Sequence, residues 1–404
     1  MPRRRWRELP PTAGLPLRWR DLLPGPAPAL DRQLAPMLGV DRLQLTCSGT
    51  AALVIALRTL SAASHRREVI VPAYTCPLVA LAVAHCGLTL KVCDLLPGSL
   101  QPDPAMLADL CNTGTLAIVP AHLAGRVVDI APVCAIAAGY GAFVIEDAAQ
   151  ALGARHADGT VVGALGDIGF YSLAAGKGLT LYEGGLLLSR HPRLQAALHE
   201  TAAAIAPYRL FRELRRCIEL AGYAALYGPH GLRWAYGAPL RRALRHNDPI
   251  GAAGDRFPRH IPLHRVGHWR QRVGAHACLR WPDYIESTRR SGMQLRSRLH
   301  TIPGIDIVAD APGAQGVWPA LLLLLPSADA ATRALNALWG EGLGVGRPFV
   351  HVLPDYDYLQ DLVAPAQVPN ARDFAARAVS IGNSPWMREC DLQRIMDTLA
   401  AACR

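Results

Sequence analysis

The sequence predicts an α/β protein, in which a large domain with a mostly parallel sheet covered by helices precedes a smaller C-terminal α+β domain. Two observations carry this prediction. From about residue 29 to residue 190, apolar helical segments alternate with short β-branched runs, the pattern of parallel βαβ units. Apolar residues make up 51% of the 404 residues, yet no apolar run reaches the roughly 18 residues that span a bilayer. The sequence therefore predicts a globular protein.

The predicted elements follow one another regularly in the first half of the chain. The predicted strands are 43–46, 68–71, 89–94, 116–120 and 142–147, and the predicted helices are 50–60, 79–85 and 131–139. Residues 1–28, rich in Arg, Pro and Leu, are expected to form an extended arm. We expect the large domain over 29–255, with a basic helical insertion at about 196–255. Residues 256–404 would hold a linking helix and the small domain.

Charge and cysteine content restrict the class of protein. The formal net charge is +10, but no helix-turn-helix, zinc-ligand spacing or aromatic-basic interleaving accompanies it, so nucleic-acid binding is not predicted. No metal site is predicted either. Ten cysteines without a CxxC pair, in a chain with no secretory leader, favour reduced thiols and a cytoplasmic location.

Lysine is scarce in this sequence. Of 42 basic residues only Lys91 and Lys177 are lysines. Arginine replaces lysine in ion pairs and phosphate contacts, but its guanidinium stays protonated and cannot act as an amine nucleophile. Lys91 lies in a predicted strand and is interpreted as an edge or pleat position. Lys177 lies in a loop of small residues, where an amine is exposed or lines a cavity.

Residues 191–300 contain 19 arginines and no lysine. Their apolar positions have helical spacing, as in the segment that starts at Tyr208. Two interpretations remain open. The segment forms solvated helices on the large domain, or it presents a basic amphipathic surface to a membrane or another anionic partner.

Three further motifs predict a cofactor site. Ser48-Gly-Thr50 opens a helix, where free backbone N–H groups suit a phosphate. Asp147 ends an apolar strand, and parallel sheets bind ligands at the carboxyl ends of their strands. Lys177 follows thirty residues later. Together they offer an amine for a Schiff base, a carboxylate for a ring nitrogen, and phosphate donors, which are the parts that pyridoxal 5′-phosphate needs.

Six segments in order resemble the DegT/StrS family of sugar aminotransferases, over about residues 43–189. These segments are 48–53, 68–75, 117–125, 144–150, 166–169 and the stretch from Ser172 through Lys177 to Glu183-Gly-Gly185. The resemblance implies a fold-type I aminotransferase architecture and homodimers with shared active sites. It also implies transfer of an amino group from glutamate or glutamine to a keto sugar that is carried on a nucleotide.

The same resemblance implies roles for individual residues. Lys177 would form the Schiff base, and Asp147 would contact the ring nitrogen. Gln150 would lie beside the ring hydroxyl. The phosphate would be held by Ser48, Gly49, Thr50 and Ser172.

The sequence departs from the family in three places. Cys76 stands where the family has an aromatic residue that stacks on the ring, and Tyr74, two residues earlier, is the candidate to stack in its place. A partner-subunit phosphate contact has no clear equivalent, with His264 and Arg265 as candidates. The stretch from about 196 to 262 is longer than in the family. Glu183 and His351 are candidates for contacts to substrate.

Two other functions remain compatible with the sequence. The same cofactor supports a lyase, a decarboxylase or a condensing enzyme that acts on an amino acid. A non-catalytic regulatory protein on the same scaffold is the third interpretation. Presence and reactivity of the Lys177 adduct distinguish all three.

Overall fold

The computed structural model describes residues 6–404. Its strands form a seven-stranded and a four-stranded sheet. The strands are β1 Gln44–Thr46, β2 Glu68–Pro72, β3 Thr89–Cys93, β4 Thr115–Ile118, β5 Phe143–Asp147, β6 Ile168–Ser172, β7 Gly185–Leu188, β8 Asp306–Ile307, β9 Ala320–Leu324, β10 Val345–Gly346 and β11 Ala378–Gly382.

Fifteen α-helices lie in the described part of the chain. They are α1 Leu30–Met37, α2 Gly49–Ala62, α3 Pro77–His85, α4 Pro104–Leu110, α5 Ala131–Tyr140, α6 Pro192–Ile205, α7 Leu210–Leu226, α8 Pro229–Leu232, α9 Ala238–Arg245, α10 Pro249–Ala253, α11 His268–Cys278, α12 Trp281–Leu299, α13 Ala328–Leu338, α14 Pro369–Arg377 and α15 Glu389–Ala402.

The large sheet is mostly parallel, as predicted. Its strand order is β1-β7-β6-β5-β4-β2-β3. Strands β2, β3, β4, β5 and β6 run parallel, while β7 pairs antiparallel with both β6 and β1. The carboxyl ends of β4, β5 and β6 therefore meet at one edge, where an open parallel sheet binds its ligand.

Both faces of this sheet are covered by apolar side chains. Along β6, Phe170 belongs to one core and Tyr171 to the other, and along β7 Leu187 and Leu188 divide in the same way. Successive strand residues point to opposite faces, so this division shows a core on each face. The short apolar runs in the sequence are the consequence.

The four-stranded sheet is antiparallel throughout, in the order β10-β11-β9-β8. Helices α12, α13 and α15 contribute buried residues to its core. This sheet and its helices confirm the predicted α+β architecture of the C-terminal part.

Residues 192–253 form helices α6 to α10, with a π-helical turn at Arg233–Gly237 between α8 and α9. Residues 6–28 carry one short 3₁₀ turn, Trp19–Leu22, and the first five residues of the predicted arm lie outside the described part. Within the described residues, no helix is both long enough and apolar enough to cross a membrane. The domain boundaries given above stay a prediction.

Candidate active site

A cavity of about 580 Å³ lies where β5 and β6 end and helix α2 begins. It brings together eight of the nine residues that the sequence predicts for the cofactor. These are Ser48, Gly49, Thr50, Cys76, Asp147, Gln150, Ser172 and Lys177. Ser48 and Lys177 are 129 positions apart in the sequence. The topology of the sheet therefore brings these residues together.

Lys177 lies in the loop between β6 and β7. Its backbone N–H donates to Ala174 O at 3.2 Å, and Gly176 adopts a positive φ of 77°. Thr12 and Tyr223 fix this turn, because the Thr12 hydroxyl donates to Gly176 O and the Gly176 N–H donates to Tyr223 Oη. Within residues 6–404, no hydrogen bond or ion pair engages the Lys177 ammonium group.

Removal from water lowers the pKa of Lys177, and the nearby Cys76 and Asp147 oppose that shift. A lower pKa increases the fraction of neutral amine, which is the nucleophilic form. The loop therefore offers a free amine to the cavity.

The other lysine has a structural role. Lys91 Nζ lies 2.7 Å from Glu68 Oε2, on β3 at the edge of the sheet. The interpretation of Lys91 as an edge position is confirmed.

Asp147 ends strand β5 and is almost fully buried. Its Oδ1 accepts a hydrogen bond from Ala149 N at 3.0 Å. Burial raises the pKa of this carboxyl to about 6, although the Ala149 N–H and the Lys177 charge lower it. A cation placed against this carboxylate would favour its ionised form.

Gln150 and the start of α2 supply the polar remainder of the cavity. Gln150 Oε1 accepts the Ala124 N–H at 2.8 Å, which leaves the amide nitrogen of Gln150 as a free donor. The Ser48 hydroxyl caps α2 by accepting Ala51 N at 3.0 Å. The backbone N–H groups of Gly49 and Thr50 lie at the positive end of the helix dipole.

Glycine is required beside this helix start. A Cβ on Gly185 would lie 2.5 Å from Ser48 O, and one on Gly49 would lie 3.2 Å from Ser172 Cβ. Strand β7 and helix α2 thus approach more closely than any side chain allows. This contact brings Ser172 to the helix N-terminus.

Cys76 lines the cavity and Tyr74 does not. Burial raises the pKa of the Cys76 thiol to about 12, so the thiol is neutral. Tyr74 is fully buried, with its ring against Phe349 and Phe374 and its hydroxyl donating to Phe349 O at 3.2 Å. The suggested stacking role of Tyr74 was wrong, because tertiary packing draws this ring into the core.

Three further candidates lie outside the cavity. His264 and Arg265 line a smaller pocket, where the His264 ring approaches Arg265 O at 3.1 Å and Arg265 Nε donates to Ala206 O at 3.2 Å. His351 lines a different cavity beside α9 and α13. Within one chain, none of the three reaches Lys177. Glu183 lines the main cavity and forms an ion pair with Arg216.

Several residues that line the cavity around Lys177 were not predicted from the sequence. They are His122, Arg216, Tyr236, Asp255, Phe257 and Arg347. A signal existed for His122, which lies four residues beyond the carboxyl end of β4, in the segment 117–125 that resembles the family. No signal distinguished Arg216 or Arg347 among so many arginines.

A buried cluster lies behind Asp147. Glu146 Oε2 is 3.3 Å from His122 Nε2 and 3.0 Å from His156 Nε2, and its carboxylate also accepts the N–H groups of Gly163, Leu165 and Gly166. Burial raises the pKa of Glu146, but the histidine hydrogen bonds outweigh it and hold this pKa well below its usual range. The carboxylate is therefore ionised.

Three such side chains resemble a metal-ligand set, but the hydrogen bonds argue otherwise. The Val128 N–H donates to His122 Nδ1 at 3.2 Å, so Nδ1 carries a lone pair. The neutral ring then has its proton on Nε2, which lies 3.3 Å from Glu146 Oε2. A His122 bound to metal through Nε2 would instead carry a proton on Nδ1. This cluster is a hydrogen-bonded clamp.

Comparison with known proteins gives a family match over less than half of the chain. Residues 25–204 match the DegT/DnrJ/EryC1/StrS aminotransferase family, which confirms the resemblance. Members of that family depend on pyridoxal 5′-phosphate, which confirms the cofactor prediction.

Two relatives illustrate the extent of similarity. The GDP-perosamine synthase of Caulobacter vibrioides is 34% identical over 168 residues, 42% of this chain and 45% of that enzyme. The dTDP-3-amino-3,4,6-trideoxy-alpha-D-glucose transaminase of Streptomyces venezuelae is 26% identical over 353 residues, 87% of this chain and 80% of that enzyme. The stronger match thus spans less than half of the relative's length.

Among solved structures, DesI in the presence of its TDP-sugar product shares the fold. Its TM-score is 0.73 at 22% identity, with 98% of this chain and 94% of DesI covered. The predicted fold class is confirmed over nearly the whole chain.

Proposed function

Because residues 25–204 are similar to the DegT/DnrJ/EryC1/StrS aminotransferases, we propose that this protein is a pyridoxal 5′-phosphate-dependent sugar aminotransferase. It moves the amino group of glutamate or glutamine to a keto sugar that is carried on a nucleotide. The observation that carries this proposal is the free amine of Lys177, which shares one cavity with the buried carboxylate of Asp147.

The residues of the cavity fit the cofactor. The Gly49 and Thr50 N–H groups and the Ser172 hydroxyl suit its phosphate, and the close approach of Gly185 to Ser48 shapes that cradle. The free amide nitrogen of Gln150 suits its ring hydroxyl. When bound, pyridoxal 5′-phosphate supplies an aldehyde for an amine and a ring that accepts electrons from the substrate's Cα.

Asp147 and Lys177 divide the work of charge and proton transfer. The Asp147 carboxylate holds a proton on the ring nitrogen, because a buried anion stabilises an adjacent cation. The Lys177 amine removes and returns the proton at the substrate's Cα, a task that favours an amine with a lowered pKa. Neither group requires a metal ion for these steps.

Apolar side chains surround the reacting groups. Leu78, Val79, Phe257 and Ile261 line the cavity together with Cys76. They limit access of water, which strengthens the electrostatic contacts inside and suppresses hydrolysis. The neutral Cys76 thiol occupies less space than the aromatic residue that the family has at this position.

The cavity also has positive charge for the substrate's carrier. Arg347 lines it, donates to Ala375 O at 2.9 Å, and has no acidic partner within residues 6–404. The names of all three similar proteins reported above contain a nucleotide-linked sugar, namely GDP-perosamine, a dTDP-sugar and a TDP-sugar. A guanidinium suits a diphosphate in charge and in hydrogen-bond geometry. This charge supports a nucleotide-linked substrate.

The functional unit of the proposal is a cytoplasmic homodimer. His264 and Arg265 lie away from the cavity of their own chain. With a partner copy and shared sites, as the family resemblance implies, the exposed Arg265 lies at the partner's phosphate cradle, whereas His264 is buried within its own chain.

Spectroscopy and peptide mapping test this function. The purified protein, incubated with pyridoxal 5′-phosphate, should gain an absorbance band at the edge of the visible range. After reduction with borohydride, the adduct should be found on Lys177. Glutamate or glutamine should bleach the absorbance, and a nucleotide-linked keto sugar should restore it. An adduct on Lys91, or no adduct, would refute the proposal. Release of carbon dioxide or cleavage of the amino acid would assign the lyase or decarboxylase alternative instead.

A further inference from the structure

We propose that helix α7 docks this protein on the surface of a bilayer that contains anionic lipids. The proposal concerns a face of the molecule that the aminotransferase function does not use. The exposure, packing and charge of α7 support this docking, which is independent of the reaction.

An apolar stripe runs along the solvent side of α7. It consists of Leu210, Phe211, Leu214 and Ile218, and the name α7 stripe is used for these four residues. Their spacing of three, four and seven positions places them on one side of the helix. Phe211 is 86% exposed and Ile218 is 67% exposed. Contiguous exposed apolar residues of this kind mark interaction surfaces.

The opposite side of α7 is held firmly by the rest of the protein. Leu220 is fully buried, and the buried Glu213 pairs with Arg270 at 2.6 Å between Oε2 and a guanidinium nitrogen. Tyr223 reaches the Lys177 loop through Gly176 N. The α7 stripe is therefore the outer face of a well-anchored helix.

The charges at the start of α7 fit an anionic partner. Arg209 and Arg212 are exposed, adjoin Leu210 and Phe211, and have no ion-pair partner within the described residues. The acidic residues of the helix are occupied, Glu213 by Arg270 and Glu219 by Arg215 and Arg216. Arginine beside exposed Phe and Leu is the composition of helices that lie in the membrane interface.

The same charges disfavour a second copy as the occupant. A two-fold contact through the α7 stripe would bring Arg209 and Arg212 of both copies into one interface, because such an interface uses the same patch on both subunits. No free carboxylate of α7 is available to compensate them, and like charges across an interface are repelled. Nucleic acid is disfavoured as well, because four aliphatic or aromatic side chains offer nothing to a phosphate backbone.

Vesicle sedimentation of the full-length protein tests the proposal. The probes are vesicles of phosphatidylcholine alone and of phosphatidylcholine with about one third phosphatidylglycerol. We expect binding to the anionic vesicles that weakens as salt rises. The variant Phe211→Gln/Ile218→Gln should bind at least about tenfold more weakly. Met293→Gln, which changes an exposed apolar residue on α12, should bind like the wild type.

A second variant separates charge from apolar insertion. Arg209→Gln/Arg212→Gln should reduce binding to anionic vesicles and flatten its salt dependence. Equal binding to both kinds of vesicle, or unchanged binding of Phe211→Gln/Ile218→Gln, would overturn the proposal. So would a dimer that becomes monomeric by light scattering in the Phe211→Gln/Ile218→Gln variant. All variants should keep aminotransferase turnover, since none of these residues lines the cavity.

Discussion

At the residue scale, Lys177 differs from every arginine around it in one property, an amine that can lose its proton. Lys177→Arg keeps the positive charge but removes the nucleophile. We expect turnover to fall by at least about 10³-fold, with no reduced adduct on the protein. Turnover assays and borohydride trapping measure both effects. Lys91→Arg is the matched control and should retain both, because arginine can also pair with Glu68.

Asp147 should make the stability of the cofactor-free protein pH-dependent. Its pKa is raised from 3.8 to about 6 by burial, so the folded state binds a proton more tightly than the unfolded state. The free energy of unfolding of the wild type therefore falls as pH rises from 3.8 to about 6. Relative to wild type, Asp147→Asn should gain about 2 kcal/mol between about pH 4 and pH 8.

Urea unfolding of the cofactor-free Asp147→Asn and wild-type proteins at several pH values gives this difference. A difference that does not change with pH would show that Asp147 has an ordinary pKa. With cofactor bound, the same variant should lose turnover by about 10²–10³-fold, because the ring nitrogen loses its counter-ion.

At the scale of elements, the contact between β7 and the start of α2 shapes the phosphate cradle. Gly185→Ala would place a Cβ 2.5 Å from Ser48 O, so α2 must shift away from Ser172. We expect cofactor affinity to fall by about tenfold or more, because the phosphate is bound by backbone N–H groups that move with α2. Spectral titration measures the affinity.

Gly139→Ala is the control for this change. A Cβ on Gly139 in α5 meets nothing within 4 Å, and alanine favours a helix. This variant should bind cofactor like the wild type. Equal affinities of both variants would contradict the importance of the β7–α2 contact.

The Glu146 clamp connects strand β5 with the loop 163–166. Glu146→Gln leaves buried N–H donors without an anionic acceptor, and we expect a loss of about 3–5 kcal/mol in the free energy of unfolding. Because its pKa lies below the usual value of 4.5, this contribution is present above about pH 4.5 and is lost as pH falls.

Thermal or urea unfolding checks the effect of Glu146→Gln. Glu389→Gln, which breaks an exposed ion pair with Arg298, should leave the free energy of unfolding almost unchanged, because water screens that pair. Similar losses in both variants would mean that the clamp contributes no more than a surface ion pair.

At the scale of the whole molecule, shared sites predict complementation between two inactive variants. In a hybrid dimer of Lys177→Ala with Arg265→Ala, one site has the intact Lys177 of one copy and the intact Arg265 of the other. Random mixing makes about half of the dimers hybrid, so about a quarter of wild-type turnover should return. Light scattering should give twice 43.4 kDa.

Refolding a mixture of both variants, followed by turnover assays, tests this expectation. Activity no greater than the sum of the separate variants would place Arg265 outside the partner's site. Wild-type turnover by Arg265→Ala alone would also place Arg265 outside the partner's site.

Residue patterns in the sequence were sufficient to predict the fold class and the centre of the site. Alternating helix and strand periods predict the parallel sheet, and the carboxyl ends of parallel strands meet at one edge, so Asp147 is expected to face a cavity there. The role of Gln150 came from the family resemblance. Lys177 was evident because arginine replaces lysine almost everywhere else. These inferences need only local periodicity and residue chemistry.

The remaining features of the site and the surface depend on tertiary packing. It placed Tyr74 in the core between Phe349 and Phe374, turned Arg347 into the cavity, and left the α7 stripe exposed. The physical reason is that these outcomes depend on packing between segments far apart in the chain. A period of two or 3.6 residues tells which side of an element is apolar, but it does not tell which distant element covers that side.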